Sequence, residues 1–415
     1  MPQPRRNLTH LATRLRRRRE ILRQRPRLYF ALNLLILALA AAIAWPFLHA
    51  HLQSIAVLDL VANKPVPALL QLTVAEPVTT TELTLPLPSG AVRARLYTPA
   101  GQPNAPALMV LHGVHHLGMD EPRLRAFASA MASCGLRVLT PELPGIKDYH
   151  VDADTITTIG ESAKWFAENS RPPRTGHEFA TPAAFAPVGV LGLSFSGGLS
   201  LIAASEPQFH PYIKFVFAIG SQDNMARVAT YYRTGDDPRP DGTTEFLQPH
   251  EYGPLVMEYQ HLADFAPAPD LPALRQVLRA HLYEDVPAEH TALAALTPAQ
   301  HAEAESLMLT NSPTTRALLL ASEQRHLDYA RTVSPHFYIQ HLTTPVYLLH
   351  GEGDNIIPSA ETQWLSADLP RGTVKAELIS PVLSHLDLDG TGPTVWDDLR
   401  LMHFFALVLH AAESR

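Results

Sequence analysis

The sequence predicts an α/β domain with a mainly parallel sheet flanked by helices, interrupted by an all-helical insertion and preceded by one transmembrane helix. Three observations carry this. Continuous apolar runs such as "PALMVLHG", "PVGVLGLS" and "TPVYLLHG" have the character of strands buried on both faces. Helical segments alternate with them. Residues 222–340 break that rhythm, with helical periodicity and few strand signals. At 415 residues, 46 % hydrophobic and 18 % charged, the chain suits one large domain with an insertion.

The N-terminus divides by charge. Residues 1–27 hold ten Arg and one Glu, although the whole chain carries a net charge of −7. The remainder is therefore acidic, which argues against nucleic acid as a partner. The next 21 residues, "LYFALNLLILALAAAIAWPFL" (28–48), carry no charge. As a helix they span roughly 31 Å, against a hydrocarbon core of about 30 Å. Trp45 sits near the outer end, and only Lys64 follows within twenty residues. The positive-inside rule then puts the N-terminus in the cytoplasm and the rest of the chain across the membrane, periplasmic in a bacterium. The alternative is secretion after cleavage of a signal peptide at "AIA", 42–44. Cys134, the only cysteine, is expected to be a packed structural thiol.

Residues 49–74 read as a membrane-proximal helix and linker, its helical part ending near "NKPVPALL". The α/β core occupies 75–221 and 341–415. It begins with a hairpin around "PSG", followed by the strand "PALMVLHG" and a helix closed by Gly135. The strand "LRVLTPEL" leads into "ELPGIKDYH", expected to be an edge loop. A helix follows with Asp154 as its N-cap, then the strand "PVGVLGLS", the helix "GGLSLIAASE" and the strand "IKFVFAIGS". After the insertion come "TPVYLLHG", a helix from "SAETQWLSADL", the strand "VKAELIS" and a final helix in "VWDDLRLMHFFALVLHAA".

The chemistry centres on "VGVLGLSFSGGL", 188–199. A strand ends two residues before Ser194 and a helix starts just after it, a turn that pushes a nucleophile out of the sheet's carboxyl edge. The positions two before and two after such a residue must be small. Ser194 has Gly192 before it and Ser196 after it. Ser196 as nucleophile would lie one helical step too late for the strand. A serine hydroxyl needs a base oriented by a third group. Asp354, in "HGEGD" after a strand, supplies the acid, with Glu352 a more weakly placed rival. His385, on the loop after the last strand, supplies the base. Carboxyl ends of parallel strands lie along one edge, so the three can converge. The backbone N–H groups of Val114 and Phe195 are placed to form an oxyanion hole.

Together "LHG" after a strand, "GLSFSGG", "LHGEGDNIIP" and the late "SHLD" resemble the α/β-hydrolase superfamily over roughly 75–221 and 341–415. The resemblance implies Ser194 as nucleophile, His385 as base, Asp354 as orienting acid and Val114 and Phe195 as oxyanion donors. It also makes 222–340 a cap domain. Two departures stand out: Ser196 where glycine is usual, and an oxyanion loop "HGVHH" without a glycine run. His115, His116 and Ser196 are candidates to line the pocket. A metal held by His112, His115, His116 and Asp120 fits no usual ligand spacing, so neither metal nor cofactor is expected. Tyr231, Tyr232, Phe246 and Tyr252 are expected to form the cap's own core, with an acyl or alcohol pocket as the other reading.

The expectation is a membrane-anchored serine hydrolase that cleaves a small-molecule, lipid-like ester through an acyl-enzyme. Acyl transfer and amide or peptide cleavage use the same triad, and a membrane-tethered, non-catalytic binding domain is the alternative from another class.

Overall fold

The computed structural model describes residues 26–68, 70–71, 77–170, 185–383 and 394–414. They fall into two units divided between His51 and Leu52. Helix α1, Pro26–Val61, is one continuous helix with Pro46 inside it. The helix ends at Val61 rather than near residue 70. In the first unit the apolar side chains of Phe30, Leu35, Leu37 and Ile43 are exposed. The stretch Phe30–Val61 is long and apolar enough to cross a membrane, a test that a signal sequence also passes.

In the second unit, residues Gln53, Ser54, Ala56 and Val57 of α1 are buried. Gln53 Nε2 donates to Cys134 O (2.7 Å) and Glu413 Oε1 (2.5 Å). Cys134 closes α2 (Pro122–Ser133), and burial pushes its thiol up to about 12, so it is an unreactive packing group.

The sheet has eight strands: β1 (Val78–Leu87), β2 (Gly90–Pro99), β3 (Ala107–Leu111), β4 (Arg137–Pro141), β5 (Val188–Leu193), β6 (Ile213–Ile219), β7 (Val346–Gly351) and β8 (Val374–Ser380). Their order is β1-β2-β4-β3-β5-β6-β7-β8. The β1–β2 hairpin and the β2–β4 pair are antiparallel, and the other pairs are parallel. The interior strands β3 to β7 are almost entirely buried, as their apolar runs require. Alternation along β6 separates two faces. Val216 and Ala218 share a core with Ile159 and Phe166 of α3 (Ala153–Asn169) and with Leu199 and Ile202 of α4 (Phe195–Ser205). Phe217 instead meets Phe404 and Phe405 of the final helix, with ring centroids 5.4 and 5.7 Å away.

Two local expectations are corrected. The N-cap of α3 is Asp152, whose side chain accepts from Thr155 N at 2.9 Å, and Asp154 lies in the first turn. The segment "ELPGIKDYH" is no edge loop, because β4 lies inside the sheet between β2 and β3. Tyr149 from this loop is buried in the core of the following insertion, and its hydroxyl donates to Leu282 O at 2.5 Å.

Between β6 and β7 run α5 (Met225–Thr234), α6 (Tyr252–Gln260), α7 (Leu271–Leu282), α8 (Val286–Ala294), α9 (Pro298–Met308), α10 (Pro313–Arg325) and α11 (Leu327–Thr332). The segment is not purely helical: Asp236–Pro238 and Thr244–Phe246 pair as a short ribbon, turned at Gly242 with φ +86°. Leu255, Tyr259, Leu274, Leu278 and Leu307 form a core of its own. The expected aromatic set divides. Tyr231 and Tyr232 join the sheet's core, Tyr252 packs on the insertion's core, and Phe246 is 70 % exposed. Helix α12 (Ala360–Asp368) follows β7, and α13 (Val395–Glu413), opened by a capping box at Thr394, ends the described fold.

Candidate active site

β5 enters α4 through the single residue Ser194, whose backbone stands at φ 57° and ψ −135°. That region is strained for a residue with a side chain and persists only where the surroundings impose it. Here close packing imposes it. A Cβ on Gly192 would overlap the backbone of Gly197, and a Cβ on Gly197 would overlap Ser221 Oγ and lie 2.8 Å from Gly192 O. The tight contact therefore falls three residues after Ser194, not two, which is why position 196 tolerates a hydroxyl. Ser194 N–H donates to Ile219 O of β6 at 2.7 Å, and the Ser194 side chain does not cap its own helix. Ser194 is half-buried.

Ser196 is fully buried, so it lines no open pocket. Its Oγ lies 2.7 Å from both His112 O and Leu193 O and donates to one at a time. It thus ties the helix start to the loop after β3. On that loop a Cβ at Gly113 would stand 3.3 Å from Ser194 Cβ, which puts Val114 beside the turn. Val114 is half-buried. Among the described residues, neither Val114 N–H nor Phe195 N–H is spent on a backbone acceptor. Val114 O accepts from Tyr252 Oη at 3.0 Å.

The expected histidines hold structure. His112 is buried, its Nε2 accepts from Leu143 N at 2.9 Å, and burial pulls its ring down to about 4. His115 stacks on His116 at 4.6 Å, and His116 stacks on Tyr283 of the insertion at 4.9 Å. Asp120 is paired with Arg95 at 2.6 Å, so it does not join these histidines around a metal.

Asp354 leaves the carboxyl end of β7 and is 3 % exposed, whereas Glu352 is exposed. Asp354 Oδ1 accepts from Ile356 N (2.9 Å) and Ile357 N (3.1 Å). A Cβ at Gly220, the residue after β6, would lie 3.4 Å from Asp354 Oδ2. Ser194 and Asp354 thus both lie against the end of β6. His350, 3.5 Å from Asp354 Oδ2, is committed elsewhere: Nε2 faces Ile357 O at 2.8 Å and Nδ1 faces Thr362 Oγ1 at 2.7 Å. His385 lies outside the described residues.

The sequence reading missed a charged cluster behind the site. Arg227 bridges Asp223 Oδ2 (2.8 Å) and Glu361 Oε1 (2.5 Å) above the Trp364 ring. Burial, with Glu361 nearby, pushes the Asp223 carboxyl up to about 7. Asp223, His336 and Asp368 place ligand atoms within 4.8 Å of one another. Arg227 donates to Asp223 Oδ2 at 2.8 Å and His336 Nδ1 meets Asp368 Oδ2 at 2.5 Å, so these donors are already engaged with one another. Asp223 and Arg227, one helical turn apart just past a buried strand, were the available signal, but Glu361 and His336 lie over 100 positions away.

A family model described as BD-FAE, of α/β-hydrolase type, matches residues 291–369. No curated protein matches the chain. Among solved structures, the chain is similar to an esterase from Pyrobaculum calidifontis at 14 % identity, covering 88 % of this chain and 92 % of that one, with a TM-score of 0.43. It is similar to the esterase Est22 at 13 % identity, covering 81 % and 82 %, with a TM-score of 0.43. It is also similar to the 2,6-dihydroxy-pseudo-oxynicotine hydrolase at 14 % identity, covering 81 % and 68 %, with a TM-score of 0.40. The mostly parallel eight-stranded sheet and its strand order give this chain an α/β-hydrolase-type fold, and the family match over 291–369 is of the same type.

Proposed function

We propose that the protein is a membrane-anchored serine hydrolase that cleaves a carboxylic ester of a small, lipid-like molecule. The observation that carries this reading is Ser194 at φ 57° between β5 and α4, with Gly113 packed against it. Ser194 is the nucleophile, Asp354 the orienting acid and His385 the base. Support for His385 comes from chain reach. The carbonyl of Leu383, two residues earlier, packs on Gly351, three residues before Asp354. Two residues extend the chain by at most about 7 Å.

His385 takes the proton as Ser194 Oγ forms its bond to the ester carbonyl carbon. The oxygen that gains charge faces the N–H groups of Val114 and Phe195 at the start of α4, where the helix dipole also favours an anion. The intermediate collapses by breaking the bond to the alcohol oxygen, which receives the proton from His385. Water, deprotonated by His385, then attacks the acyl-enzyme and releases the acid and Ser194. The segment 222–340 acts as a cap over this edge. The apolar stretch 28–48 of α1 anchors the chain, and the basic residues before it favour a cytoplasmic N-terminus with the catalytic domain outside.

The test is hydrolysis of p-nitrophenyl esters of graded chain length by the full chain in detergent. Ser194→Ala and His385→Ala each lower kcat by about 10³-fold or more. Full activity in Ser194→Ala contradicts the reading.

A further inference from the structure

The insertion reaches both arms of this site through one short segment. At its start, His250 N–H donates to Asn355 O at 2.9 Å, and Asn355 follows Asp354. Tyr231 Oη donates to the same carbonyl at 3.0 Å. Two residues after His250, Tyr252 Oη reaches Val114 O at 3.0 Å. A carbonyl only accepts, so the tyrosine is the donor. Burial and the neighbouring Tyr149 push the Tyr252 hydroxyl well above its usual range, so it stays a donor in ordinary buffers. The segment is itself braced, since His250 Nδ1 accepts from Tyr252 N at 3.2 Å and the Tyr252 ring packs edge-on to Tyr149 at 5.8 Å.

The loop it holds is pinned on either side of Val114. His112 O is tied by Ser196, and His116 is stacked on Tyr283. Between these pins, His112 Nδ1 meets Gly113 O, the carbonyl of the peptide that carries Val114 N–H, at 2.8 Å, and Tyr252 holds the next carbonyl, Val114 O. The two bonds fix the peptides on both sides of Val114; without the one at Val114 O a single bond is left to hold the direction of Val114 N–H against the oxygen it must meet.

We propose that Tyr252 is a positioning residue: its hydroxyl, supplied by the insertion, holds the Val114 carbonyl and so aims the Val114 N–H at the developing oxyanion. This rests on the serine-hydrolase reading of Ser194. The insertion is then a structural part of the site as well as its cover, since the same turn fixes the loop that carries Asp354.

The test compares Tyr252→Phe with the wild-type full chain in detergent on a p-nitrophenyl ester and on the matching thionoester, whose sulfur gains little from oxyanion donors. Removing the hydroxyl lowers kcat on the oxygen ester about tenfold, with KM little changed and the thionoester rate nearly unaltered, so the ratio of the two rates falls about tenfold. An equal fall on both substrates is the result of a general structural disturbance and overturns the inference, as does no change on either. In those cases the wild type still turns over and the hydrolase reading stands. A wild type inactive on both substrates overturns the hydrolase reading and this inference with it. Thermal midpoints of the two proteins show whether the variant is folded, and Tyr252→Leu, which removes the hydroxyl with the ring, must show the same fall in ratio.

Discussion

Replacing Glu258 by glutamine perturbs a buried carboxyl in the insertion that has no hydrogen-bond partner among the described residues. Glu258 lies on α6, is fully buried, and has no hydrogen-bond partner on either carboxylate oxygen among the described residues. Burial alone pushes its carboxyl from the ordinary value of 4.5 up to about 9. The folded chain therefore holds a proton that the unfolded chain releases above its own, lower pKa. The stability tied to that proton is fully present below pH 4.5 and is lost as pH rises through 9. Each pH unit in this window removes about 1.4 kcal/mol, so the loss is about 1.4 kcal/mol at pH 5.5 and about 5 kcal/mol at pH 8. Glutamine has nearly the same shape and does not titrate. Urea unfolding of both proteins in detergent at the two pH values isolates the difference, because all other titrating groups are shared. The wild type should lose roughly 3 kcal/mol more than Glu258→Gln between pH 5.5 and pH 8. Parallel pH profiles would refute the reasoning and mean that the carboxyl titrates as if solvated.

Ser196→Ala removes a hydroxyl that ties α4 to the β3 loop, so it should cost about 1 kcal/mol in unfolding while the ester activity persists. Gly197→Ala places a methyl on Ser221 Oγ and against Gly192 O, so it should destabilise by about 3 kcal/mol or more and abolish turnover, as read by thermal unfolding and p-nitrophenyl ester assay. A C-terminal reporter active only outside the cytoplasm should give signal in cells, and signal from a cytoplasm-only reporter instead would contradict the proposed orientation.

Much of the sheet was legible because β3, β5, β6 and β7 are continuous apolar runs that each meet a Gly or Ser within two residues of their ends. The preference for Ser194 over Ser196 rests on strand length alone, and that for Asp354 over Glu352 on its place on the loop. What escaped depends on pairing between distant segments. The β4 loop looked peripheral because sequence order says nothing of the exchange that puts β4 between β2 and β3. Asp152 and Asp154 are chemically equivalent caps, and only the extended backbone at 152 selects the first. Tyr231 and Tyr232 belong to the sheet's core because α5 leaves directly from β6, although their position in sequence suggested the insertion. Tyr252 was legible as an aromatic of the insertion, but its bond to Val114 O was not, since the two lie 138 positions apart.

The most direct test of the account is covalent labelling of the full chain in detergent with a fluorophosphonate, followed by peptide mass mapping. The adduct should sit on Ser194, disappear in Ser194→Ala and remain in Ser196→Ala. An adduct that survives Ser194→Ala, or a wild type that takes up no label, would contradict the assignment of Ser194 as the nucleophile.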